Sequence, residues 1–249
     1  MFSLKKTIFC VVLTIVSQSI NAWTQQPNTL RAAVAKEFEN GLHSHYLKYI
    51  AEQLGMDLII STMPLARRII EVQKGNLDVI VGLQYSAERA QQLTYIYPAY
   101  ETLSFRFFAL NENAIDIKSY EDLSGKMIGV IRGAEHHSSF ERDNQLKKYD
   151  LKSLKSGIKM LFHQRIDLFI HYEESTVPML KSLAVEDKIS KTKYQPKYKH
   201  ELYIAISKLS PLIAKKQQLQ SLIEKGINQQ DFLQIRLNYY QMNLKKTEE

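Results

Sequence analysis

The chain has 249 residues, 45% of them hydrophobic and 24% charged, with a formal net charge of +7 and a single cysteine. That length suits one large or two compact α/β domains, and one cysteine excludes a disulfide-built scaffold. The basic excess is mild and its lysines are scattered; the densest patch, residues 188–199, interleaves tyrosines without an RNA-binding motif, so nucleic acid is not an expected partner.

Residues 1–22 read as a secretory signal peptide: Lys5 and Lys6 form a short basic start, residues 8–16 an apolar core, and Ala22, with Ile20 at the −3 position, a cleavage site. Cys10 falls inside that apolar core, so the mature chain lacks cysteine. The apolar run is short for a bilayer, and no later segment offers about 20 uninterrupted apolar residues. The expectation is a soluble, monomeric protein of a bacterial periplasm.

From there, elements alternate. A short strand at residues 30–34 (LRAAV) precedes an amphipathic helix at 43–54, with Tyr46, Leu47, Ile50 and Leu54 at helical spacing and Gly55 as its cap. A strand at 58–61, a helix at 65–74 that opens after Pro64 and stops at Gly75, and a strand at 78–83 complete a βαβαβ unit with a parallel sheet. Arg89 follows that third strand, placing a fixed cation beyond its C-terminal end, where open α/β sheets bind ligands. An aromatic strand at 104–110 (SFRFFAL) then leads to a second α/β unit. Its strands are expected at 127–131, 167–171 and 201–207, and its helices near 138–144, 153–163 and 177–183, before a helical tail at 211–225 and 231–243.

The blocks TLRAAV, QLGM, KGNLDVIVGLQYSAER, YPAY, SYEDLSGKMIGVIRG, RIDLFI and ELYIAISK follow one another through nearly the whole mature chain. In order and spacing they resemble the family 3 bacterial extracellular solute-binding proteins, which include the amino-acid receptors of ABC importers. The resemblance implies a type II periplasmic binding protein fold: two α/β lobes joined by two crossing strands, with the ligand held between them by hinge closure. The crossings are expected at 106–110 and 203–207, with lobe 1 spanning 23–105 and 206–249, and lobe 2 spanning 106–205. No cofactor or metal is implied. The expected partners are a small ligand and an ABC permease, or alternatively a membrane sensor.

On this pattern Arg89 matches the family arginine that grips a ligand carboxylate, a role its planar, permanently charged fork suits; the alternative is a salt bridge to Glu88 or another acid. Gln84 stands where a Ser or Thr is common, and Tyr172 where the family has an Asp for the ligand's ammonium, with Glu173 beside it. Arg132 and Gly133 open the lobe-2 anion loop, but Ala134 and Glu135 replace its hydroxyl residues. The kept half of the site is therefore the anion-binding one, and a small carboxylate-bearing or otherwise anionic solute is expected. Arg67 is assigned either to a second acidic group or to solvent, and Arg68 to solvent. Phe38 is a candidate aromatic wall, Tyr85 a wall or packing residue, and His136 and His171 candidate cleft imidazoles. His43, His45, His136, His137 and the pair His171 and Glu173 match no recognised metal-ligand spacing. An enzyme resembling cyclohexadienyl dehydratases is the remaining alternative, with Glu173 or Glu135 as general acid.

Overall fold

The computed structural model describes residues 28–245, so the leader expected at residues 1–22 lies outside the described residues. In chain order the elements are β1 (Thr29–Val34), α1 (Leu42–Leu54), β2 (Asp57–Thr62), α2 (Leu65–Gln73), β3 (Val79–Gln84), α3 (Ala87–Gln92), β4 (Leu93–Leu110), α4 (Asn111–Ala114), β5 (Met127–Ile131), α5 (Ser138–Arg142), β6 (Lys147–Leu151), α6 (Leu154–Phe162), β7 (Leu168–Tyr172), α7 (Glu173–Ser182), β8 (Ile189–Lys191), β9 (Lys199–Ser207), α8 (Lys216–Asn228) and α9 (Asp231–Lys245). Among the described residues no helix is long and apolar enough to cross a membrane.

These elements form two sheets joined along one strand. The strand order is β2-β1-β3-β9-β4-β7-β5-β6, with β8 also on β4. In the first sheet β1 pairs in parallel with β2 and β3, and β9 runs antiparallel between β3 and the first half of β4. One face packs on Tyr46, Leu47 and Ile50 of α1, Leu219 and Ile223 of α8 and Phe232 of α9; the other packs on Ile69 and Val72 of α2. Burial on both faces explains the unbroken apolar runs of β3 and β9.

The second half of β4 belongs to the second sheet, where residues 105–109 pair antiparallel with β7 while β5 pairs in parallel with β6 and β7. Side chains of a strand alternate between faces, so Phe105 and Phe107 enter one core and Phe108 the other, with Ile158, Leu161 and Phe169. The two expected crossings are corrected by these pairings. Residues 106–110 lie inside the second sheet, and residues 203–207 pair with β3 and β4 inside the first. Ile204, Ala205, Ile206 and Ser207 are at most 1% exposed, because β9 is a central strand covered on both faces. The chain passes between sheets earlier, at Ser104 and Phe105 and again just before Lys199.

Candidate functional site

A cavity of about 160 Å³ lies where the C-terminal ends of β1, β3, β5 and β7 converge between the two units. This is the crevice in which parallel α/β sheets place ligands. Gly82 shapes its floor. The β3–β9 register shifts between Ile80 and Leu83, and Gly82 sits there with φ +75, so β3 bulges and turns Gln84 toward the opposite lobe. A Cβ at Gly82 would run into the His43 ring, another wall residue.

Three side chains tie the lobes together across the crevice. The Gln84 amide donates to the Tyr172 hydroxyl at 2.6 Å, and Tyr172 stacks on Phe105 with ring centroids 4.3 Å apart at 9°. Glu37 accepts from the Leu154 backbone N–H at 2.9 Å, capping the first turn of α6, where a helix favours negative charge. Arg89 donates to the Gly133 carbonyl at 2.7 Å and lies 2.9 Å from the Glu135 carboxylate. Gly133 itself has φ +86, and a Cβ there would press against Ala66 and Ile69 of α2.

Of the residues expected in the site, Phe38, Gln84, His136, His171 and Tyr172 do line the cavity. The others do not. Arg89 makes the salt bridge that was its alternative, with Glu135 as the acid, and both lie outside the cavity wall together with Gly133. Tyr85 is 50% exposed, its ring against Tyr95. Arg132 reaches outward to Asp150 at 2.9 Å, and Glu173 turns away to Lys191 at 2.6 Å.

The two arginines of α2 exchange roles. Arg67 is 61% exposed and bridges the buried Glu71 at 2.7 Å. Arg68, expected in solvent, is only 7% exposed and lines the cavity. The reason is helical spacing: Arg68 stands three residues after Leu65, another wall residue, and four before the fully buried Val72, so it shares their face. Burial pushes the Arg68 guanidinium down to about 10, against an opposing pull from Glu37, so it stays charged at neutral pH. Its Nε has no hydrogen-bond partner.

The wall also holds Glu37, Glu101 and Glu174, which sequence reasoning passed over, and His43, which it weighed only for metal binding. Glu101 is held by Arg236 at 2.7 Å, and burial raises its carboxyl despite that partner. His43 and His171 are pushed down to about 4, both by burial and His43 also by the charge of Arg68, so both are neutral at pH 7. The chamber thus sets one buried guanidinium and neutral imidazoles beside carboxylates, a polarity that suits a small solute carrying charges of both signs.

The family model for bacterial extracellular solute-binding proteins, family 3, matches residues 31–231. The chain is 21% identical over 153 residues to the probable amino-acid-binding protein YxeM of Bacillus subtilis (strain 168), a match that covers 60% of this chain and 58% of that protein. Among solved structures, an amino acid ABC transporter substrate-binding protein, AbpA from Streptococcus pneumoniae bound to L-arginine, superposes with TM-score 0.76 at 17% identity, covering 87% of this chain and 96% of that one. A Salmonella typhimurium periplasmic binding protein described as highly specific for arginine superposes with TM-score 0.70, also at 17% identity, covering 84% and 98%. At these identities the likeness is one of fold, the two-domain α/β architecture of type II binding proteins.

Proposed function

The chain belongs to the bacterial extracellular solute-binding proteins of family 3, and on that premise we propose that it captures a small carboxylate-bearing solute in the interlobe chamber and delivers it to a membrane ABC importer. The two lobes in this reading are residues 28–104 with 199–245, and residues 105–198, following the strand pairings. Its working compartment is the periplasm, reached through the leader at residues 1–22.

One observation carries the ligand class. Arg68 is a charged group 7% exposed in the chamber wall, with its Nε unpartnered. Removing a guanidinium from water costs several kcal/mol unless an anion with good geometry offsets it. A ligand carboxylate supplies that anion, and a planar fork receives it with two parallel hydrogen bonds. Glu174, in the same wall, then receives a cationic group of the ligand. A zwitterion such as an amino acid meets both requirements, and the arginine complex of the Streptococcus pneumoniae neighbour supports that class. The chamber volume of about 160 Å³ favours a molecule of amino-acid size over a longer peptide.

The test is a thermal-shift screen of amino acids, dicarboxylates, aromatic acids, polyamines and short peptides. A ligand that binds only the folded chain raises its melting temperature by mass action. The reading predicts that zwitterionic amino acids raise it and that amines lacking a carboxylate do not. Stabilisation by polyamines alone would overturn it.

A further inference from the structure

A second cavity, of about 450 Å³, lies on the far side of Phe105 and His136 from the interlobe chamber. Its volume falls in the range of small-molecule sites, which are mostly apolar with a few placed polar groups. Rings make its walls: Phe107 lies 5.9 Å from both Phe140 and Tyr194, Tyr120 meets Tyr194 at 6.2 Å, and at the mouth Tyr198 stacks on His137 at 3.4 Å and 6°. The charged groups of the wall are already engaged. Asp143 accepts from the Tyr120 hydroxyl and the Gln145 backbone, and Arg142 donates through Nε to the Ser138 carbonyl.

His136 is the exception. Its side chain is 3% exposed, Nδ1 lies 2.7 Å from the Glu141 carboxylate, and Nε2 has no hydrogen-bond partner. A carboxylate on Nδ1 keeps the proton on that nitrogen, so in the neutral ring Nε2 presents a lone pair. A buried acceptor left unmatched is unfavourable by about 1–3 kcal/mol. No group of three His, Cys, Asp or Glu among the described residues is placed to hold a metal ion, so that lone pair is not part of a metal cluster there.

We propose that this cavity is a second binding site, for a flat aromatic small molecule whose N–H or O–H donates to His136 while its ring packs among the tyrosines and phenylalanines. Offset and edge-on ring contacts supply the affinity, and the imidazole supplies the orientation.

Because Phe105, His136 and Ile170 face both cavities, Tyr198→Ala and Arg68→Ala, each particular to one cavity, separate the two sites. Indole is titrated into the full chain and followed by ligand-observed NMR. The expected result is saturable binding that weakens at least fivefold in Tyr198→Ala, whose ring is 44% exposed and removable without opening the core. His136→Phe keeps a ring but removes the lone pair and weakens indole similarly, and 1-methylindole, which lacks the donor, binds wild type more weakly than indole. Arg68→Ala leaves indole binding unchanged. Absence of indole binding, a loss that follows Arg68→Ala, indifference to Tyr198→Ala, or equal binding of indole and 1-methylindole overturns the proposal.

Discussion

Arg67 and Arg68 are neighbours in sequence, yet one is in water and the other is nearly sealed from it. Arg67 reaches from solvent to the buried Glu71 as an i,i+4 pair. Position along the helix, not charge, decides which arginine can meet a ligand. Imidazoles follow the same logic of burial. His43 and His171 are held near 4 in the folded chain, while an unfolded histidine titrates at about 6.5. Between those values the unfolded chain binds more protons, so stability falls as pH drops from 6.5 toward 4 and is insensitive to these two groups above that window. Melting temperature against pH should show the fall, and His171→Asn should make it shallower; a melting temperature that rises on acidification would contradict the assignment. The assignment of Arg68 to solvent missed a signal in the apolar rows of α2, where Leu65, Ile69 and Val72 mark the buried face. Glu174 was not legible, because it directly follows Glu173, and only the start of α7 decides which of the two turns inward.

At the scale of elements, the cleft depends on how strands end. Gly82 at φ +75 makes the bulge that brings Gln84 across to Tyr172. A side chain there meets both a strained backbone and the His43 ring, so Gly82→Ala should lower stability on the order of 2 kcal/mol. Chemical denaturation measures this directly, and an unchanged midpoint would show that the strand end tolerates a Cβ. The elements with strong periodicity were readable from sequence, among them α1 with its Gly55 cap at φ 62 and α6 with the Ser153–Ser156 capping box. The weak ones were not. β6 is KKYDL, an edge strand exposed along most of its length, and β8 has three residues, so neither carries an apolar signal. Only residues 104–110 of β4 read as a strand, because Pro98 interrupts the stretch before them, yet β4 runs for 18 residues with a register shift between Ile96 and Glu101 that accommodates the proline.

For the whole molecule, bridges between the lobes run from Gln84 to Tyr172, from Glu37 to the start of α6, and from Arg89 to Gly133 and Glu135. A ligand shifts such an equilibrium only by its differential affinity for the closed form, and these bridges set where that equilibrium starts. Arg89 and Glu135 act as one unit here, with side chains 11% and 36% exposed. Arg89→Ala and Glu135→Gln should therefore weaken ligand binding by similar factors, roughly three- to tenfold, and the double variant should weaken it little further. Fully additive losses in calorimetry would instead give Arg89 a direct grip on the ligand. The fold at this scale was visible in the alternation of strands and helices and in the order of seven sequence blocks. Which side chains of the second lobe meet the chamber was decided by the packing of one lobe against the other, which the sequence leaves implicit.

The central claim is that Arg68 is the cation that receives the ligand's carboxylate. Isothermal titration of the amino acid identified by thermal shift tests it most directly, comparing wild type with Arg68→Ala and Arg67→Ala. Loss of tenfold or more in affinity for Arg68→Ala, about 1.4 kcal/mol, with Arg67→Ala unchanged, is the predicted result. Wild-type affinity in Arg68→Ala, or an equal loss in both variants, would contradict it.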